Sequence, residues 1–418
     1  MTPPRLKILM SAYACEPRKG SEPEVGWQWS LQMAYFHDVT VLTRANNRIS
    51  IEAELSVLKG KQPLPQFVYH DESPLLLKLK RRMHATKTYY LLWQRSARKI
   101  AARLHAEHRF DLFHHVTFAA MRYPTIIWGH GAPSVWGPIG GAESVPFALL
   151  PWSQPAPLLV EASRNVHNFL HTRFFRALSR RASASTVTLV TSRETQRAFA
   201  ALGFETPLMP AIGLDTDAWK APAHSENSGP LKLLFVGNII TLKGVDLAIK
   251  ALKESGSSAM FTLVGDGSFL PAIRRLTRHL GLESQVHFQG RLPRAEVLAL
   301  YPEFDVFVFP SLHDTGGYAV IEAMLNELPV ICLDCGGPAV ATHDDCGIKI
   351  PLGPPAKVIS GLAAAIRNYD QNRDLVQHQG RQAREVILKN YNWKRKGEQM
   401  NEVYQQAVSV RRTAGRPS

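Results

Sequence analysis

Long apolar runs are missing from this chain of 418 residues, and cysteine is scarce. Because a helix needs about 20 consecutive apolar residues to cross a bilayer, no transmembrane helix is expected. The four cysteines are too few for a disulfide framework, which favours a reducing cytoplasm. Cys332 and Cys335 have the spacing of half a zinc or redox motif, but no second pair follows at a suitable distance. We therefore expect a cytoplasmic protein without a metal site.

Acidic residues are absent from one long stretch of the first half. Between positions 78 and 103 the Lys and Arg side chains have no acidic neighbour in sequence, and most of the net charge of +14 lies in residues 1–212. Such a field attracts nucleic acid, anionic lipid headgroups or a phosphate-bearing substrate. Nucleic acid is the less favoured partner, because no zinc-finger or RNA-reading motif is present. We expect an anionic membrane surface, with 75–77 and 89–93 entering the interface; a solvated basic helix is the alternative.

The length of the chain suits two domains, and the pattern predicts that both are α/β. A segment rich in Pro, Ser and Gly at 221–230 is typical of a linker. After it, short continuous apolar runs alternate with segments of helical period, which indicates a parallel sheet covered on both faces. The first half repeats this pattern more loosely. Predicted strands are 6–13, 39–43, 67–70, 111–116, 134–136 and 186–190, then 231–236, 260–264, 285–288, 305–309 and 329–333.

The strongest site signal follows the predicted strand 305–309. Gly316 and Gly317 open a helix there, with Asp314 in the loop before it and Glu322 inside it. Unpaired amides at a helix N-terminus can bind an anion. The two carboxylates are too far apart to touch each other, so they can contact separate parts of one polyhydroxyl ligand. The alternative is an ordinary strand–loop–helix connection whose acid offsets the helix dipole.

Other glycine-rich loops follow neighbouring strands of the same predicted sheet. The strand 231–236 leads into Gly237, Asn238 and Lys243, and a lysine in that position can reach a phosphate. Gly265 follows the strand 260–264 in the same way. Because ligands bind at the carboxyl edge of such sheets, three loops of this kind indicate more than any one of them does.

The first half offers two weaker signals. Ser21 and Glu24 have the spacing of a helix capping box, and Gly20 before them allows a ligand to approach the backbone closely. His114 and His115 lie near the end of the predicted strand 111–116. Neighbouring residues of a strand point to opposite faces, so at most one imidazole is expected to face a cleft. A lone histidine is more often structural than catalytic.

Taken together, these motifs resemble those of the family-4 retaining glycosyltransferases, which have the GT-B fold. The resemblance runs from about 231 to 404 and rests on Asp314 and Glu322 with seven residues between them, and on the loop from Gly237 to Lys243. The family normally has an arginine where this chain has Asn238. The first half is similar to a bacterial subset of the family through 13–17, 20–23 and 136–141. The implied fold is two Rossmann-like doubly wound domains that face a central cleft.

The resemblance implies domain boundaries, substrates and a role for each site residue. An acceptor-binding domain would cover 1–212 and a donor domain 213–391, while 392–418 would cross back to the first domain. The donor would be a UDP- or GDP-sugar, the acceptor a glycan or a lipid-linked glycan, and no cofactor or metal would be needed. By this resemblance, Lys243 and the amides of Gly316, Gly317 and Tyr318 would bind the diphosphate. Asp314 would bind the sugar and Glu322 the ribose, and the base would be recognised near Gly290 and Arg291. His115 or, less favoured, His114 would lie beside the reacting sugar.

Two other functions share parts of this pattern. A sugar-nucleotide epimerase can have the same two-domain architecture without transferring its sugar to an acceptor. It would not need a basic acceptor domain, however. A non-enzymatic polyanion or nucleic-acid binder would account for the charge but not for the glycine-rich loops. A retaining hexosyltransferase of polysaccharide or glycolipid synthesis is therefore the preferred prediction.

Overall fold

The computed structural model describes residues 4–83, 86–127, 129–150, 154–173, 176–217, 219 and 229–414. In this part of the chain the strands form two parallel sheets of six strands each. Both sheets are covered by helices, which confirms the predicted fold class of two doubly wound α/β domains. No helix among the described residues is long and apolar enough to cross a bilayer.

The first sheet has the strand order β3-β2-β1-β4-β5-β6. All six predicted strands of this half are present, and most bounds differ from the prediction by one or two residues. The strands are β1 Lys7–Ala12, β2 Asp38–Thr43, β3 Gln66–Tyr69, β4 Leu112–Thr117, β5 Ser134–Ile139 and β6 Val187–Val190. The helices are α1 Ser21–Phe36, α2 Arg48–Leu58, α3 Pro74–Met83, α4 Thr86–His108, α5 Pro155–Arg173, α6 Arg176–Ala184 and α7 Arg193–Ala200.

The second sheet has the order β12-β11-β10-β7-β8-β9. Its strands are β7 Lys232–Val236, β8 Met260–Val264, β9 Val286–Gly290, β10 Val306–Phe309, β11 Val330–Leu333 and β12 Gly347–Ile350. The helices are α8 Val245–Ser255, α9 Leu270–His279, α10 Arg294–Leu300, α11 Tyr318–Leu325, α12 Gly336–Ala341, α13 Pro355–Gln371, α14 Arg373–Asn390 and α15 Trp393–Ala414. The short edge strand β12 was not predicted, because only its two end residues are fully buried and it has no apolar run.

The chain crosses between the domains at two places that lie side by side. Leu214 donates its amide to the carbonyl of Tyr391 at 2.8 Å, and the amide of Trp393 donates back to Leu214 at 3.1 Å. The last helix, α15, then packs against α1, with the ring of Trp393 edge-on to Trp29 at 5.4 Å. Further along α15, the Tyr404 hydroxyl lies 2.6 Å from a ring nitrogen of His114 in β4. Trp393 and Tyr404 of α15 are therefore part of the core of the first domain.

One local prediction for the first domain is wrong. The capping box does not form, because Gly20 occupies the N-cap position of α1 and Ser21 is already the first helical residue, without a side-chain cap. The Glu24 carboxylate instead accepts a bond from Gln28 within the helix, at 2.8 Å. Of the linker predicted at 221–230, residues 221–228 lie outside the described residues.

The prediction that the aromatic residues of α4 face a membrane interface is wrong. Tyr89, Tyr90 and Trp93 are buried in the core of the first domain, where they pack with Tyr13 and residues of β4. They therefore cannot enter a membrane interface as predicted. Their spacing is that of a buried helical face, and the basic residues of the same stretch lie mostly on its outer side.

Candidate active site

A cleft of about 770 Å³ separates the two domains at the carboxyl ends of their strands. This volume lies within the range of small-molecule sites, and the position is where ligands bind to open parallel sheets. Its walls come from the loops that follow β4, β5, β7 and β10, together with the starts of α1 and α11. Predicted site residues on the wall are Gly237, Asn238, Lys243, Asp314, Gly316, Gly317, Tyr318 and Glu322.

Lys243 is held in the cleft by a tightly packed loop. Gly244 after it has φ 62°, and a Cβ there would stand 2.1 Å from the carbonyl oxygen of Pro310, so the loop closely approaches the exit of β10. The Lys243 ammonium lies 2.5 Å from a carboxylate oxygen of Asp314, and the two side chains are only 17% and 19% exposed. The ring of Phe309 lies beneath the ammonium at 4.9 Å. The loops after β7 and β10 are thus joined by an ion pair inside the cleft.

Asp314 occupies the amides that were predicted to be open to an anion. Its Oδ1 accepts bonds from the amides of Gly316 at 3.0 Å and Gly317 at 2.7 Å. The prediction that these two amides are unpaired is therefore wrong in this structure. The next two amides, those of Tyr318 and Ala319, begin α11 on the cleft wall and have no acceptor among the described residues. An anion at this helix end would meet them instead.

Glu322 lies one helical turn further along α11, on the cleft wall, and is largely buried. One of its oxygens accepts a bond from Arg294 at 2.6 Å, and the other from the Tyr301 hydroxyl at 3.3 Å. Burial raises the pKa of this carboxyl group, while Arg294 and Tyr301 act in the opposite direction. Arg294 and Tyr301 thus fix the orientation of Glu322, and its carboxylate can accept hydrogen bonds from the hydroxyl groups of a ligand.

The two histidines of β4 lie away from the cleft wall. A ring nitrogen of His115 is hydrogen-bonded to the Tyr90 hydroxyl at 2.9 Å. Tyr90 lines the cleft, whereas His115 does not. His114 faces the other side of the sheet, between Tyr404 and the carbonyl of Gly137. Burial lowers the pKa of both imidazoles to about 4, so both are neutral at pH 7. The prediction that His115 faces the cleft is therefore wrong, because His115 contacts the cleft residue Tyr90 and does not line the cleft itself.

The remaining predicted residues border the cleft without lining it. Gly20 precedes Ser21, which does line it, and Arg291 is an exposed neighbour of the lining residue Leu292. Gly265 has a packing role, because a Cβ there would stand 1.9 Å from the carbonyl oxygen of Gly237. Its amide also donates to the carbonyl of Gly290 at 2.8 Å. Gly265 thus allows the exit of β8 to pack closely beside the loop that carries Lys243.

Several cleft residues were not predicted from the sequence. His313 precedes Asp314 on the wall, and burial lowers the pKa of its imidazole to about 4. Glu22 accepts a bond from the amide of Phe118 at 2.5 Å across the cleft floor, and Arg122 lines the wall after β4. The sequence indicated these residues only by their position, because each of them follows the end of a strand or the start of a helix.

The comparisons with known proteins agree with this geometry. Residues 218–386 match the family model "Glycosyl transferases group 1". A glycogen synthase of Mycobacterium tuberculosis is 28% identical over 185 residues, which are 43% of this chain and 44% of that protein. The putative colanic acid biosynthesis glycosyltransferase WcaL of Escherichia coli is 32% identical over 155 residues, which are 35% and 37% of the two chains. The chain thus spans less than half the length of these curated relatives.

Solved structures match nearly the whole chain at low identity. A glycosyltransferase of Rickettsia africae is 13% identical, with a TM-score of 0.65 over 97% of this chain and 99% of that one. Anabaena HepE, in complex with UDP and glucose, is 16% identical, with a TM-score of 0.57 over 96% and 100%. At such identities the likeness shows the fold alone. The chain therefore has the GT-B fold, and residues 218–386 of its second half are similar to the glycosyl transferases group 1 model.

Proposed function

We propose that this protein is a glycosyltransferase that moves a hexose from a nucleoside-diphosphate sugar to a glycan or lipid-linked acceptor, with retention at the anomeric carbon. One observation carries the proposal: an ammonium, two helix-start amides and two oriented carboxylates line one wall of a cleft whose other wall comes from a different domain. A donor held by the second domain would present its sugar to an acceptor held by the first.

The leaving diphosphate would be stabilised by Lys243 and by the amides of Tyr318 and Ala319. An ammonium has three N–H donors, and Asp314 uses one of them in the structure, so phosphate oxygens can take the others. Fixed donors of this kind lower the barrier by stabilising charge where it develops. We expect them to replace a metal ion, and activity should therefore persist in EDTA.

Asp314 and Glu322 would hold different parts of the donor. Asp314 would accept bonds from sugar hydroxyls, and Glu322 from ribose hydroxyls. In the transfer, the bond from the anomeric carbon to the phosphate oxygen breaks on the same face on which the acceptor oxygen attacks. The acceptor's proton passes to the departing phosphate oxygen. Anomeric NMR of the product tests this step, and a product of inverted configuration would rule out retention.

The donor is tested by a thermal-shift panel of UDP-, GDP- and ADP-sugars. We expect one nucleotide to raise the melting temperature of the protein, and Lys243→Ala to abolish that rise. Incubation with the stabilising donor alone separates the proposal from an epimerase. An epimerase would change the configuration of the donor sugar without any acceptor, and that result would contradict transfer as the main activity.

We also propose that the protein works at the cytoplasmic face of an anionic membrane. On α3, Leu75, Leu79 and Met83 are 75%, 48% and 64% exposed, and their spacing of four places them on one helix face. Lys78 and Arg82 are exposed on the same helix. Apolar side chains beside basic ones are complementary to an anionic lipid surface, at about 1 kcal/mol per basic residue.

Co-sedimentation with vesicles tests this surface. The protein should bind vesicles of phosphatidylcholine with 30% phosphatidylglycerol at low salt, and bind pure phosphatidylcholine weakly. The triple Ser variant at Leu75, Leu79 and Met83 should lose most of this binding. A double Ser variant at Ile49 and Val57, which are exposed on α2, is the control and should bind normally. Equal binding by both variants would contradict the assignment of α3.

A further inference from the structure

The first-domain wall of the cleft contains a cation, Arg122, that forms no direct ion pair with a described residue. Arg122 follows β4 and lines the cleft, where it is half-buried. Its Nη1 donates to the side-chain oxygen of Asn168, which is a neutral acceptor. Asn168 is itself buried and fixed by bonds to the carbonyl of Glu143 at 2.9 Å and to Ser144 at 3.0 Å. The guanidinium is therefore held in one orientation by a neutral partner.

Glu143 and Glu161 act on the charge of Arg122 from a distance, but neither forms an ion pair with it. Glu143 accepts bonds from Ser192 at 2.6 Å and from the amide of Gly141 at 2.7 Å. Glu161 is paired with Arg164 at 2.5 Å. Within the described part of the chain, no carboxylate oxygen lies within ion-pair distance of Arg122. Placing an unpaired charge in a partly desolvated wall costs free energy, which an anionic ligand would recover.

The surroundings of Arg122 leave space for such a ligand. Gly141 stands beside its other terminal nitrogen, and a Cβ at Gly141 would lie 3.7 Å from Nη2 and 3.3 Å from Ala120. Lys87, at the start of α4, is exposed and lines the same cleft. A fixed guanidinium with a second, movable cation nearby is suited to a phosphate or carboxylate group.

We propose that Arg122 binds an oxyanion of the acceptor substrate, so that the acceptor carries a phosphate or carboxylate group close to the reacting hydroxyl. The inference rests on the proposed glycosyl transfer and specifies its acceptor class. The acceptor is favoured over the donor as the source, because Lys243 and the amides of α11 belong to the opposite wall. Lys87 would contribute charge without fixing orientation.

Calorimetric titration with anions tests whether the oxyanion bound by Arg122 belongs to the acceptor or to the donor. Wild type, Arg122→Gln and Arg122→Lys are first titrated with UDP, and then, at saturating UDP, with inorganic phosphate. UDP should bind all three proteins with dissociation constants within about twofold of each other. Phosphate should saturate a site on the wild type, and should bind at least tenfold more weakly to Arg122→Gln. The Lys variant should lie between them, since it keeps the charge but loses the planar fork.

Arg103→Gln is the matched control, because Arg103 is exposed on α4 and removing it changes the net charge equally. It should bind phosphate as the wild type does. A phosphate isotherm that is the same for wild type and Arg122→Gln would overturn the proposal. So would a tenfold loss of UDP affinity in Arg122→Gln, because the anion would then belong to the donor. If the wild type binds no nucleotide at all, the proposed function fails separately, and the phosphate titration can still be made without UDP.

Discussion

Removing the Lys243 ammonium should weaken diphosphate binding by one to two orders of magnitude. A charge-assisted hydrogen bond to an ionised oxygen contributes roughly 1.5–3 kcal/mol, which corresponds to a loss of about 10- to 150-fold in affinity. In Lys243→Ala the carboxylate of Asp314 would also lose its partner at 2.5 Å and would face the diphosphate unneutralised. The double change to Ala at Lys243 and Asn at Asp314 should therefore recover part of the loss.

Calorimetric titration with UDP measures this effect. Lys250→Ala is the control, since Lys250 pairs with Asp246 at 3.2 Å on α8 and does not line the cleft. It should bind UDP as the wild type does. Because the Lys243 pair is partly buried, its loss should also lower the free energy of unfolding by about 1–3 kcal/mol, between the values for exposed and buried pairs. A Lys243→Ala protein that is folded and binds UDP within twofold of wild type would refute the assigned role.

Two further predictions concern buried polar groups away from the cleft. Tyr404→Phe removes the hydroxyl bonded to His114 and should cost about 1–3 kcal/mol in urea unfolding, whereas Tyr35→Phe, which alters an exposed bond, should cost under about 0.5 kcal/mol. Burial lowers the pKa of Lys396 to about 7, so the unfolded chain binds more protons between about pH 7 and 10, and the stability of the protein should rise with pH in that window. The Tm of Lys396→Met should rise less from pH 7 to 9 than that of Lys394→Met, an exposed control on the same helix, and equal slopes would contradict the shift.

The location of the site could be predicted from the sequence because it depends on topology. Loops that follow parallel strands meet at one edge of a sheet, so Gly237, Lys243 and Asp314 could be grouped without knowing any distance. The bonding among them could not be predicted in this way. That Asp314 satisfies the amides of Gly316 and Gly317 depends on a loop conformation that the residue types alone do not determine.

The histidines show a different limit. Alternation along β4 correctly separates His114 from His115, but in a doubly wound domain both faces of the sheet are covered by helices. Neither histidine lines the cleft, which lies at the end of the strand and is bordered by Val116. Residues one to five positions after β4, such as Phe118 and Arg122, were the better candidates on topological grounds.

The burial of the aromatic residues of α4 follows from their spacing along the helix, and not from the basic composition of the stretch. Tyr89, Trp93 and Ala97 recur at intervals of four and are buried together with Ala101. The same repeat places Arg95 and its basic neighbours outside. The basic stretch with aromatic residues on α4 is thus an amphipathic helix with a buried inner face, whereas α3 leaves Leu75, Leu79 and Met83 exposed.

The position of α15 affects the order in which the domains can be completed during synthesis. The hydroxyl that satisfies His114 belongs to a residue 290 positions later in the chain. At about 5–20 residues per second, a ribosome needs roughly 15 to 60 s to make that interval. The domain that emerges first therefore waits, with part of α1 uncovered, until the second domain has been translated.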